Sequence, residues 1–370
     1  MNREKALRLL FVTPFYFPYT GGVETHVYEV ARRLAQAGVE VTVLTTDPSG
    51  KLPAREQIEK VTVQRVRTWP AQTDYGFAPA IYRTIRQGGW DIVHVQSYHT
   101  LVAPLAMLAA WQAKIPYVVT FHGGGNSSRL RNGLRGIQQT LLRPLLAHAA
   151  RLIAVAKFEI EFYGNRLHLP PERFVLIPNG ADIAKVDQPA PPAQQSPLIA
   201  SVGRLERYKG HQRMIAALPY ILAQQPDAHL WIAGKGPYAQ TLQNLAERLG
   251  VADQVEIRAV QAADRQTMAT ELSKAALVTL LSDYETHPIA ALEALALGRP
   301  VLVTDTSGLR ELAEQGLARS IPLSSTAEEV AAAVMEQLHD PLVLPDKLEL
   351  PTWDDCASAL LLLYQRCLSR

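Results

Sequence analysis

Two glutamates stand eight positions apart in Asp283-Tyr284-Glu285-Thr286-His287-Pro288-Ile289-Ala290-Ala291-Leu292-Glu293-Ala294. Pro288 suits the first turn of a helix. That leaves Glu285 in the preceding loop and Glu293 about two turns inside. Glu293 lies among Ala291, Leu292, Ala294 and Leu295, where a bare carboxylate is costly unless hydrogen-bonded. The vicinal hydroxyls of a sugar would satisfy it, and a helix start between the two acids favours phosphate. An exposed helix carrying two acids by chance is the plainer alternative.

Upstream, Gly203-Arg204-Leu205-Glu206-Arg207-Tyr208-Lys209-Gly210 follows an apolar run. Arg204 can fork onto phosphate oxygens and Lys209 adds a point charge, a pairing that suits a diphosphate; a surface charge cluster is the alternative. Gly21-Gly22 lets backbone approach a ligand ahead of a helix, or makes a plain turn. Thr120-Phe121-His122-Gly123-Gly124-Gly125 places a histidine beside three glycines that leave room for a sugar; a structural histidine is the alternative. Ile177-Pro178-Asn179-Gly180 reads as a tight turn, lining the cleft or merely leaving the first half of the chain.

These segments need elements to hold them, and the chain supplies an alternating beat. Leu9–Val12, Val41–Leu44, Ile92–Val95, Tyr117–Thr120 and Leu152–Val155 are strand-like; the span Thr25–Ala37 has helical periodicity and stops at Gly38. Residues 185–197, with four prolines, break the beat as a linker. It restarts at 198–202, 229–233, 255–257, 277–280 and 301–303. Apolar strands separated by helices imply parallel sheets covered on both faces. The expected architecture is α/β, with two Rossmann-like doubly wound domains, 1–184 and 198–350, facing a central cleft. Ligands then sit beyond the carboxyl ends of the strands, where every segment above falls.

Composition narrows the function classes. The chain has 370 residues and a net charge of +2, which hides an asymmetry. Residues 1–185 carry 22 Lys and Arg against 13 Asp and Glu, and the remainder 15 against 22. No acid occurs between Asp91 and Glu159, where Arg129, Arg131, Arg135 and Arg143 fall. That stretch suits an anionic membrane surface or lipid phosphate, or is a solvated helix face; without interleaved aromatics it does not suit nucleic acid. Cys356 and Cys367 cannot build a disulfide framework, which points to a reducing, cytoplasmic setting. The N-terminus does not read as a signal peptide. The longest apolar run, Leu101–Trp111, is too short to span a bilayer.

In this order the segments resemble glycosyltransferase family 4, whose fold is the two-domain GT-B arrangement. The specific parts are Gly-Arg-Leu-x3-Lys-Gly at 203–210 and the Glu-x7-Glu pair at 285 and 293, followed by Ala-Leu-Ala-x-Gly-x-Pro-Val. The resemblance implies a retaining, metal-independent transfer of sugar from a nucleotide-diphosphate donor, with no cofactor, in surface polysaccharide or glycolipid synthesis. It implies that Arg204 and Lys209 bind the diphosphate, that Gly22 approaches the diphosphate from the first domain, that Glu293 holds the ribose, that Val260 lies by the base, and that Ile289 also binds the donor. Glu285 and His122 would lie at the donor sugar as the catalytic candidates. The segment Trp353–Leu368 would be a last helix crossing back onto the first domain. The metal-binding Asp-x-Asp of the other main glycosyltransferase fold is absent from the chain. The chain departs from the family pattern at Gln96, where a second histidine is common. It departs again at Thr286-His287-Pro288 and at Ser307-Gly308, where glycines are common. A sugar-nucleotide epimerase or hydrolase, and a non-catalytic sugar-nucleotide binder, are the rival functions.

Overall fold

The computed structural model describes residues 6–19, 21–70, 76–123, 129–181, 196–260, 264–345 and 348–369, with backbone alone for 129–135. The chain divides into two compact units. The first runs to Gly123 and includes Gly133–Gly180 and everything from Pro351; the second holds Ala181–Leu350.

The first unit is built on β1 (Arg8–Val12), α1 (Gly22–Gln36), β2 (Glu40–Thr46), β3 (Arg55–Ile58), β4 (Val61–Val66), α2 (Pro79–Gln87), β5 (Ile92–Gln96), α3 (Val102–Gln112), β6 (Tyr117–Thr120), α4 (Arg129–His148), β7 (Arg151–Ala154), α5 (Lys157–Leu167) and β8 (Phe174–Leu176). Its sheet order is β3-β4-β2-β1-β5-β6-β7-β8. All neighbours are parallel except β3 with β4. Strands such as β1 and β5 bury nearly every residue because helices cover both faces. Leu10, Val93, Val119, Met107 and Phe121 lie in one continuous core.

The second unit contains β9 (Leu198–Val202), α6 (His211–Leu222), β10 (His229–Ala233), α7 (Ala239–Arg248), β11 (Val255–Ile257), α8 (Arg265–Ser273), β12 (Leu277–Leu280), α9 (Ile289–Ala296), β13 (Val301–Thr304), α10 (Ser307–Glu314), β14 (Arg319–Ile321) and α11 (Ala327–His339). The six strands are all parallel in the order β11-β10-β9-β12-β13-β14. That is the doubly wound order with its reversal between β9 and β12, where such sheets open a ligand crevice. Core clusters lie on both faces of this sheet, one around Ile215, Leu230 and Val334, the other around Trp231, Leu292 and Val303.

The last helix, α12 (Trp353–Leu368), belongs to the first unit and packs on α1. A capping box starts it: Thr352 Oγ1 accepts from Asp355 N–H while the Asp355 carboxylate accepts from Thr352 N–H. Arg33 on α1 ties Asp354 at 2.6 Å. No helix among the described residues is long and apolar enough to cross a membrane. Most of the linker expected at 185–197 lies outside the described residues.

Candidate functional site

In the second unit the reversal point brings the end of β9 beside the end of β12. Gly203 leaves β9 with φ 156 and gives its N–H to Ala233 O at 3.0 Å. A single 3-10 turn, Arg207–Lys209, then leads to Gly210 at φ 77, which caps α6. A Cβ on Gly210 would sit 1.8 Å from Leu281 O. Only glycine lets the chain pass so close to the end of β12, and that passage delivers Lys209 to Glu285. The ammonium and the Glu285 carboxylate form an ion pair, and Ser282 Oγ donates to the same oxygen at 2.9 Å. Arg204 is exposed and donates to Tyr208 Oη at 3.1 Å.

The loop bearing Glu285 is braced by α10. Glu285 N–H donates to Ser307 Oγ at 2.9 Å, and Gly308 N–H returns a bond to Glu285 O at 2.9 Å. A Cβ on Gly308 would meet Thr286 O at 1.6 Å. Ser307 stands at φ 42, a left-handed conformation that glycine adopts without strain. Its hydroxyl bond to Glu285 is what the serine gives in return.

The helix behind this loop starts at Ile289, with Pro288 as its N-cap. Glu293 is therefore its fifth residue, little more than one turn in rather than two. It is 3% exposed and its carboxylate pairs with Arg265, the first residue of α8. The sequence reading missed Arg265, because a partner 28 positions away in another helix leaves no local pattern. Ile289 is half-buried, and Val260 lies half-buried against the Trp231 cluster.

His211 is a further residue that the sequence did not single out. Its Nε2–H donates to Arg204 O at 3.2 Å and its Nδ1 accepts from Ser201 Oγ at 2.8 Å. Burial lowers its pKa to about 4, against the raising effect of the Arg204 carbonyl. The ring is thus neutral and braces the turn that carries Arg204.

The first unit places histidines where the second places ion pairs. His122 follows β6 at φ 44, a strained conformation for a side-chain-bearing residue. Its Nε2–H donates to Gln96 Oε1 at 2.6 Å. His94 is fixed on both nitrogens, with Tyr364 Oη and Thr120 Oγ1 each at 2.7 Å. His26, on α1, has its Nδ1 at 2.8 Å from Asn179 Oδ1. Burial lowers the pKa of all three, His26 to about 4; the neighbouring imidazoles push His94 and His122 further down. Glu159, fully buried, accepts from Gly123 N–H at 2.9 Å and from Val155 N–H at 2.8 Å, tying the ends of β6 and β7.

Gly22 is exposed at the first position of α1, with open space where a Cβ would stand. Asn179-Gly180 is not the tight turn expected; the segment is irregular chain. The asparagine holds His26, and a Cβ on Gly180 would lie 2.3 Å from Trp353 N. Close approach of α12 demands the glycine there. Gly124 and Gly125 lie outside the described residues, as do the side chains of Arg129, Arg131 and Arg135. Arg143 is exposed and donates from Nε to Leu167 O at 2.7 Å. Among the described residues no three His, Cys, Asp or Glu gather as a metal-holding group.

Comparison with known proteins adds three findings. The sequence profile of Glycosyltransferase Family 4 matches residues 20–185, and that of Glycosyl transferases group 1 matches 182–350. A phosphatidyl-myo-inositol mannosyltransferase of Mycolicibacterium smegmatis is 28% identical, over 90% of this chain and 85% of its own. A D-inositol 3-phosphate glycosyltransferase of Thermobispora bispora is 27% identical, over 87% and 82%. Among solved structures, a sucrose-phosphate synthase of Thermosynechococcus elongatus superposes with a TM-score of 0.77 at 19% identity, covering 98% of this chain and 99% of that one.

Proposed function

The chain belongs to glycosyltransferase family 4 and is a glycosyltransferase, and from that premise we propose that it moves a hexose from a nucleotide-diphosphate sugar onto a phosphate-bearing saccharide or lipid-linked acceptor, retaining the anomeric configuration and using no metal. The observation that carries this reading is the Lys209–Glu285 ion pair at the reversal point of the second sheet. There Lys209 and Arg204 meet the diphosphate, and Glu285 faces the sugar it carries. Glu293, buried and paired with Arg265, takes the ribose hydroxyls. Val260 and Ile289 flank the donor, and in the first unit Gly22 and His122 serve it.

Charge develops on the leaving diphosphate as the glycosidic bond breaks. Fixed cations offset it without reorganising in the transition state. The acceptor hydroxyl attacks from the face the phosphate leaves, and a phosphate oxygen takes its proton. No side chain needs to become covalently attached. The imidazole of His122 is neutral, so it can hydrogen-bond the sugar without drawing the anionic diphosphate away from Lys209.

The acceptor class draws on two supports. The basic balance of residues 1–185 suits an anion, and the two relatives are named for inositol phosphates. Membrane association on the cytoplasmic face belongs to the same proposal. Ile137 and Leu141, one turn apart on α4, are 60% and 73% exposed beside the exposed Arg143, a pattern suited to an anionic bilayer surface. Binding to anionic vesicles should then weaken as salt is raised; indifference to lipid charge would remove the membrane part alone.

The reaction itself is tested with nucleotide sugars of different bases, inositol phosphate or a lipid extract as acceptor, and EDTA. Transfer that survives EDTA and gives the donor's own anomer by NMR is the expected result. A strict metal requirement or an inverted product would overturn the mechanism.

A further inference from the structure

We propose that His26 is a positioning residue for His122: anchored by Asn179, its ring holds the His122 imidazole in one plane and one tautomer, with the Nε2 proton on Gln96. This rests on the reading that His122 serves the donor sugar.

The amide oxygen of Asn179 can only accept, so its contact of 2.8 Å fixes the His26 proton on Nδ1. That leaves a lone pair on His26 Nε2, which is buried and has no hydrogen-bond partner among the described residues. The His26 ring stands edge-on to His122, with centroids 4.6 Å apart and planes at 72°. On another side it meets Trp353 at 5.8 Å and 69°. Trp353 in turn lies against Gly180, the residue after Asn179. The His26 ring is therefore held by three parts of the unit: its own helix α1, the segment at 179–180, and the start of α12.

His122 needs such a support. It sits in an irregular, left-handed stretch after β6, where no repeating backbone pattern fixes a rotamer. Its one named side-chain hydrogen bond goes to Gln96. One bond fixes a direction and leaves the ring free to rotate about it. A second ring packed at a steep angle removes that rotation. Simple filling of the core does not account for His26. A leucine or phenylalanine would occupy the volume without burying an unpaired nitrogen, whose desolvation costs about 1–3 kcal/mol. The imidazole combines what neither does: it packs as a ring, which leucine cannot, and takes its orientation from Asn179, which phenylalanine cannot.

The test uses the full-length protein labelled with 15N-histidine. In the wild type, His122 should give the signature of a single neutral tautomer with the proton on Nε2. His26→Asn keeps an amide N–H to reach Asn179 and removes the ring. It should give His122 a mixed-tautomer signal and lower kcat on the order of tenfold, with donor KM within about twofold. His26→Phe restores a ring without the bond to Asn179 and should recover only part of both. Should His26→Asn fail to fold, Asn179→Ala carries the test, since it frees the His26 ring in place and should shift the His122 signal in the same direction. A His122 signal unchanged in these variants overturns the proposal, whatever happens to kcat. Failure of the underlying reading is seen separately: His122→Ala with undiminished transfer would take the sugar role from His122, while the tautomer measurement still decides the part played by His26.

Discussion

The two units meet the same problem, polar groups at the carboxyl ends of buried strands, in opposite ways. The first relies mainly on neutral imidazoles, beside one buried carboxylate, Glu159, held by backbone N–H groups: His26, His94 and His122 are buried and hydrogen-bonded to Asn179, Tyr364, Thr120 and Gln96. The second uses charges in pairs: Lys209 with Glu285, Arg265 with Glu293, Arg213 with Asp283. A paired cation is not left bare while no ligand is bound, and it can transfer part of its interaction to an arriving anion. A neutral imidazole offers a hydrogen bond without a field. Under the proposed function the difference would sort the work, with the paired charges serving the diphosphate and the neutral imidazoles serving carbohydrate hydroxyls.

Acid should separate the units most strongly. Each buried histidine has a folded pKa below its ordinary value of about 6.5, so the unfolded chain binds the proton first. Stability is then full above about pH 6.5 and falls as the pH drops toward 4, by about 1.4 kcal/mol per pH unit for each histidine. The first unit has three such residues and the second has His211. Hydrogen exchange between pH 7 and 5 should therefore open β5 and β6 well before β9 and β12. Equal loss of protection in both sheets would break the contrast.

Next in size is the second unit's cation. Lys209→Ala should raise the barrier to transfer by about 2–4 kcal/mol, seen as a fall in kcat/KM, and should weaken nucleoside-diphosphate binding by calorimetry. Unchanged affinity would take the diphosphate away from the reversal point. Arg265→Ala is expected to do less. It leaves Glu293 buried without its arginine, but Arg265 is about a quarter exposed and solvent already screens the pair. A loss of about 1–3 kcal/mol in thermal or urea unfolding is expected, and nucleoside binding should change with it.

How much of this was legible in the sequence follows the same division. The buried parallel strands showed as apolar runs, and the reversal-point residues stood directly after them. Of the edge strands, only β11 showed among the described residues, as the run at 255–257. β3 reads Arg-Glu-Gln-Ile, and β4 carries Arg65, which is buried because Glu56 pairs with it across the hairpin at 2.5 Å and the carbonyls of Phe17 and Pro53 accept from it. β8 and β14 are three residues each and did not stand out, whereas β11, of the same length, did. Glu293 was read too deep, and counting Pro288 inside the helix accounts for one residue of the difference. His26 looked like one more residue of an amphipathic helix, since its partner Asn179 is 153 positions away. Charged motifs with tight local spacing were readable, whereas neutral groups assembled from distant segments were not.

The smallest effect expected tests whether strain belongs to the comparison at all. Ser97, His122 and Ser307 all have positive φ, at 64, 44 and 42, and follow the ends of β5, β6 and β13. Both units thus hold side-chain-bearing residues in left-handed backbone where their polar groups gather. Ser307→Gly removes the conformational penalty of about 1–2 kcal/mol and also the hydroxyl bond to Glu285 N–H, worth about 0.5–1.5 kcal/mol. The two terms nearly cancel, so stability should move by less than about 1 kcal/mol. Activity should not follow stability, because the lost bond is the one that fixes the Glu285 backbone. A fall in kcat at unchanged Tm would mean that the serine's strain is retained to hold Glu285 in place. A variant that gains stability and keeps its kcat would mean that the left-handed serine is incidental, and that strain has no part in what the two units share.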